Sequence, residues 1–130
     1  MAPALRSLVT VRVSQINSCP FCVDLNTATL LKRGVLLDKV SALRNWREST
    51  LFSDLEKASL EYAEAMTFPE REVNDALMAR LRNHLSEDAI VELTGLIAFQ
   101  NLSSKFNSAL GVPAHGFCAI PTNADHEDGV

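Results

Sequence analysis

Apolar residues hold helical spacing from Ile90 through Leu93, Ile97, Phe106 and Leu110 to Gly111. This run restricts the fold more than any other feature. It predicts a final helix of more than about twenty residues, enough to cross a small domain. The helix carries two apolar sets: Ile90, Leu93 and Ile97 on one side, Phe99, Leu102 and Phe106 on another. One set can serve a core while the other stays open to a second copy. Gly95 within it predicts a close helix contact, because glycine in mid-helix otherwise costs about 1 kcal/mol.

The rest of the chain has the same period. Val73, Leu77, Leu81 and Leu85 are spaced four apart, as in a helix with one narrow buried stripe. Ser86 then restarts the chain, with Glu87 and Asp88 placed to favour the helix dipole. Ser53-Asp54-Leu55-Glu56 is a capping box, followed by Leu55, Tyr62, Ala63 and Met66 on one face, with Pro69 past the end. A helix over 38–46 would bury Val40, Leu43 and Trp46. Pro20 suits a first helical position with Cys19 as cap, and Gly34 is a good stop. Residues 4–16 have Leu5, Leu8, Val9, Val13 and Ile16 at helical spacing, yet Val9, Val11 and Val13 also alternate as in a strand. The expectation is an all-α fold of about six helices over residues 1–112. Residues 113–130 read as an irregular tail with an acidic end at Asp125, Glu127 and Asp128.

A chain of 130 residues has room for one domain, and 47% hydrophobic with 22% charged residues fits a folded globular protein. The net charge of −4 argues against nucleic acid and against a polybasic membrane-binding surface. No apolar run approaches the roughly 20 residues needed to span a bilayer. Met1 to Arg6 has no signal-peptide pattern, so the cytoplasm is the expected location.

There are three cysteines, Cys19 and Cys22 spaced C-x-x-C and Cys118 far downstream. That is no secreted disulfide framework. A zinc site wants about four ligands, and no second pair completes one. A thiol is nucleophilic as thiolate, and a helix start favours that charge. Cys19 at the cap and Cys22 one turn in could form a disulfide and exchange electrons with a peroxide or another dithiol. The plainer alternative is two small core residues three apart.

Several segments carry a family resemblance. Leu5-Arg6-Ser7-Leu8-Val9 and Arg12-Val13-Ser14-Gln15-Ile16-Asn17-Ser18-Cys19 lead into the dithiol. Ala42 to Glu48, Leu60 to Met66, Val91-Glu92-Leu93-Thr94 and the long last helix follow. Together these resemble the AhpD-like alkylhydroperoxidase and carboxymuconolactone decarboxylase family over residues 4–112. The resemblance implies an AhpD-like helical bundle forming trimers or hexamers, a hydroperoxide or disulfide substrate, and an external disulfide reductase as partner. No cofactor is implied. Cys22 would be the attacking thiol and Cys19 the resolving one. It also implies a proton relay, a glutamate twelve residues before the first cysteine and a histidine four after the second. Here those positions hold Ser7 and Asn26, and neither is a base near neutral pH. Longer relatives have helices before the segment matching Leu5, so a face they cover would be buried in an oligomer here.

Other readings follow from the same residues. A non-enzymatic helical oligomer with an idle dithiol is one, and the lyase chemistry of the wider family another. His84 is expected on a solvated helix face and His126 in the acidic tail. His115 and Cys118 would supply what Ser7 and Asn26 lack if the tail folds back. Trp46 and Tyr62 are expected in the core, and Asp24, two residues past Cys22, is expected to point away from the dithiol.

Overall fold

The computed structural model describes residues 1–118. His126 and the acidic end lie outside them. The order is α1 (Pro3–Ile16), α2 (Pro20–Lys32), α3 (Leu37–Ser41), a 3-10 helix (Leu43–Glu48), α4 (Asp54–Thr67), α5 (Asp75–Arg82) and α6 (Glu87–Ala109). The fold is all-helical, as the periodicity predicts.

α1 is the central helix and packs against α2, α4 and α6. Its position explains its ambiguous pattern. Val9 and Val13 join a core made by Ala58, Tyr62 and Ala63 of α4, Leu77 and Leu81 of α5, and Ile90, Leu93 and Ile97 of α6. Leu8 and Val11 join a second core with Leu30, Leu43, Trp46, Phe52 and Leu60. A helix surrounded on several sides is apolar on several faces, so three alternating valines fit it. Each such side chain contributes about 1.5–3 kcal/mol on burial.

Local chemistry sets most boundaries. The Ser53 hydroxyl accepts from the Glu56 amide and the Glu56 carboxylate from the Ser53 amide, which is the expected capping box. Ser86 caps α6 through the Ala89 amide. Gly34 and Gly111 follow helix ends with φ of 88° and 68°, a conformation that only glycine adopts freely.

Three expectations need correction. The helix over 38–46 is two pieces, with Asn45 at non-helical φ and ψ inside the 3-10 segment. That kink places Leu43 and Trp46 in the second core and leaves Val40 only partly buried against it. Gly95 marks no close contact: a Cβ there would meet nothing within 4 Å. The four-residue stripe is shorter than it looks, because Asn74 caps α5 and leaves Val73 outside the helix and exposed.

One buried charge ties the elements together. Glu64 of α4 is 2% exposed. Its Oε2 accepts from Arg12 Nε and Trp46 Nε1, both at 3.0 Å. Its Oε1 accepts from Arg71 Nη1 at 2.7 Å and from Arg47 Nη1. Burial alone would raise its pKa, but hydrogen bonds from Arg47, Trp46 and Arg12 hold it down at about 2.

Candidate active site

α1 ends at Ile16, and Ser18 takes a left-handed φ of 51°, which turns the chain into α2. Cys19 is the N-cap, Pro20 opens the helix, and the Cys22 amide donates to Cys19 Sγ at 3.2 Å. The local sequence therefore places the dithiol as expected, one thiol at the cap and one in the first turn. Both thiols are buried and neither is in a disulfide.

Burial decides the chemistry of Cys19. The helix start was expected to favour thiolate there. Instead, burial pushes the Cys19 thiol up to about 12, with its side-chain hydrogen bond to Cys22 adding to the rise. Amide donors at the helix start pull the other way and lose. Cys19 is thus a protonated thiol at neutral pH, suited to give its proton late and ill suited to attack first.

The groups around the pair are amides and hydroxyls. Asn107 Nδ2, on α6, lies 3.8 Å from Cys22 Sγ. Asn26 Nδ2 donates to Ser14 Oγ at 3.0 Å and to Gln100 Oε1 at 3.2 Å. Gln100 Nε2 donates onward to Ser104 Oγ at 2.9 Å, and Ser14 Oγ to the Thr10 carbonyl at 2.6 Å. Ser7 is bonded elsewhere: its hydroxyl accepts from Arg33 Nη1 at 2.8 Å, near the far end of α2. Asn107 is the residue that sequence reasoning missed. Its only signal was a polar side chain late in an apolar helix.

Asp24 is engaged by backbone amides from far along the chain. Its side chain is fully buried, with Oδ2 accepting from the His115 and Phe117 amides at 3.0 and 2.9 Å. Oδ1 accepts from the Cys118 amide at 2.7 Å. Burial would raise this carboxyl, but amide bonds from Cys118, Phe117 and His115 hold it below the usual carboxylate range. The His115 ring meets Phe21, the residue between the cysteines, edge-on at 5.6 Å, and Phe117 meets the same ring at 6.1 Å. Residues 115–118 therefore fold back onto the dithiol turn. Cys118 is buried there, and His115 remains exposed.

Trp46 and Tyr62 are core residues as expected, the Tyr62 hydroxyl bonding Thr94 Oγ1 at 2.7 Å. His84 is exposed on α5's C-terminal side. Among the described residues no three His, Cys, Asp or Glu side chains gather to hold a metal ion. No helix among them is long and apolar enough to cross a membrane.

Residues 2–65 match the carboxymuconolactone decarboxylase family. The chain is 48% identical over 119 residues to the uncharacterised protein YnjA of Escherichia coli, covering 92% of this chain and 65% of that protein. It is 36% identical over 107 residues to YdfG of Bacillus subtilis, also uncharacterised, covering 82% of this chain and 73% of that one. Among solved structures, an Agrobacterium tumefaciens protein of unknown function, provisionally described as the antioxidant defence protein AhpD, superposes with a TM-score of 0.82. Its sequence identity is 28%, over 85% of this chain and 76% of that one. The AhpD core of a peroxidase-related protein from Ralstonia eutropha has a TM-score of 0.72 and 25% identity, over 88% of this chain and 61% of that one. The debrominase Bmp8 shares the fold alone, with a TM-score of 0.79 at 19% identity, over 98% of this chain and 65% of that one.

Proposed function

The chain belongs to the carboxymuconolactone decarboxylase family, with an AhpD-like fold, and from that premise we propose that it is a thiol-dependent oxidoreductase acting through Cys22 and Cys19. The observation that carries this reading is the pair itself. The Cys22 amide caps onto Cys19 Sγ, and the two thiols lie within one helical turn at the mouth of α2. Cys22 attacks the distal oxygen of a hydroperoxide as thiolate. The O–O bond breaks, the alkoxide leaves as alcohol by taking up the proton that Cys22 released to solvent, and Cys22 becomes a sulfenic acid. Cys19 then attacks that sulfur, water leaves, and a disulfide forms. An external disulfide reductase returns two electrons and two protons.

The relay glutamate and histidine of the resemblance are Ser7 and Asn26, and the structure brings a different set to the sulfur. Asn107 contacts Cys22, and Asn26 anchors the hydroxyl and amide row below it. These groups can hold a thiolate or a leaving oxygen by hydrogen bonds. They cannot take a proton, so the roughly 100- to 10,000-fold that general base catalysis supplies must come from another group, and His115, folded back beside Phe21, is the candidate. Reduced protein mixed with a moderate excess of an organic hydroperoxide is expected to lose the Cys19 and Cys22 thiols together, faster than free thiol does. Thiol counting checks this, starting from three free cysteines. Loss no faster than the uncatalysed rate would end the proposal in favour of an idle dithiol, the reading that the burial of both sulfurs supports.

We also propose that the protein works as a homo-oligomer. Phe99, Leu102 and Phe106 of α6 are 67%, 64% and 62% exposed, while Ile90, Leu93 and Ile97 of the same helix are buried. So large an apolar face is uncommon on a monomer, and symmetric association removes it from water. A trimer or hexamer is expected in light scattering at micromolar concentration. A stable monomer would contradict this.

A further inference from the structure

A second cluster of chemistry, which the dithiol does not use, surrounds Glu64. One carboxylate balances one guanidinium, and three converge on this one: Arg12, Arg47 and Arg71. Beside them is a cavity of about 240 Å³ lined by Arg12, Arg44, Arg47, Arg71, Glu48, Glu64, Trp46 and Phe68 among others. Leaving Arg44 aside, three arginines against two glutamates leave one positive charge in the lining, in a chain whose net charge is −4.

The arginines are held in a set geometry. The Arg47 guanidinium stacks on Trp46 at 4.3 Å and the Arg71 guanidinium on Phe68 at 4.6 Å. A guanidinium presents five N–H donors in a rigid fork, and Glu64 engages one nitrogen of each. Arg47 Nη2 is also 3.9 Å from Glu61, a loose and largely exposed pairing. Planar forks of this kind match the paired oxygens of carboxylates and phosphates. The volume falls below the roughly 300–1,000 Å³ of ordinary ligand pockets, which favours an anion of a few heavy atoms over a larger substrate.

We propose that this cavity binds a small oxyanion, a phosphate or a short carboxylate, gripped by Arg47 and Arg71 with Arg12 fixed behind them by Glu64. The proposal is independent of the dithiol, so Cys22→Ser is expected to bind the anion unchanged.

Calorimetric titration of the full-length protein with inorganic phosphate, and separately with succinate, tests it at low ionic strength, where screening is weak. Saturable binding of at least one anion is expected, and the tighter of the two identifies the oxygen pattern preferred. R71A should weaken binding about tenfold or more, as the loss of a charged hydrogen-bond donor does. R71K keeps the charge but loses the fork, and should weaken it by less. R82A removes an arginine that pairs with Glu87 instead, and should leave binding unchanged. R71A leaves Glu64 with Arg12, Arg47 and Trp46, and R71K provides the comparison if R71A does not fold. No saturable binding of either anion would overturn the proposal. So would the unaltered affinity in every Arg71 variant that folds.

Discussion

Cys22→Ser is expected to stop hydroperoxide consumption, leaving only the uncatalysed rate, while Cys19→Ser is expected to complete one attack and halt. The difference follows from the two sulfurs' surroundings. Cys19 is pushed up to about 12 by burial and by Cys22, so it cannot supply the first thiolate at neutral pH. Cys22 has the Asn107 amide beside its sulfur and no second thiol capping it. In a single turnover without added reductant, Cys19→Ser should accumulate one added oxygen on Cys22, seen by mass spectrometry. The doubly intact protein should instead accumulate a disulfide. Retained consumption in Cys22→Ser would reverse the assigned order of attack.

The second large effect belongs to Glu64. Glu64→Ala leaves three guanidiniums facing one another without their shared acceptor, and strands the Trp46 indole donor in a buried site. Removing one partner from a buried ion cluster costs about 3–5 kcal/mol, a large share of a small domain's stability. The same carboxylate makes the protein acid-sensitive. Its folded pKa of about 2 is depressed from an ordinary 4.5, so its contribution is complete above about 4.5 and is lost as pH falls towards about 2. Glu64→Gln should flatten that part of the acid limb while lowering stability at neutral pH. Denaturant midpoints measured for both proteins across this pH range check the claim, and parallel curves would refute it.

The residues differ in how openly the sequence shows their roles. The caps at Ser53 and Ser86, the helix start at Cys19-Pro20 and the two-sided last helix are local features, set by neighbours a few residues away, and all are legible. Val9, Val11 and Val13 are not, because their pattern depends on how many elements surround α1. Gly95 misled for the reverse reason: its side of α6 is open, so its lack of a side chain answers to no neighbour. At the site, the positions of Cys19 and Cys22 were legible. Their partners were not. Asn107 reaches Cys22 across 85 residues, and Asp24 collects amides from 91 to 94 residues away. A lone aspartate in the apolar stretch Phe21-Cys22-Val23-Asp24-Leu25 was a faint pointer to such a partner, with nothing local to name it. Glu64 is similar, since its arginines come from α1, the 3-10 helix and the turn after α4.

If the proposed function holds, the cap on α2 couples electron transfer to folding. Cys19 Sγ is the acceptor for the first-turn amide, and under the proposed function it is also one half of the redox couple. Closing the thermodynamic cycle between reduced and oxidised, capped and uncapped states fixes the sign. Any stability that the capped dithiol has and the disulfide gives up must appear as a reduction potential shifted towards oxidising values. The exchange rate is about 30 mV for each 1.4 kcal/mol in a two-electron couple. A helix start that holds its own sulfur as a cap is thus a built-in bias on the couple, and the turn's sequence tunes it without touching either cysteine.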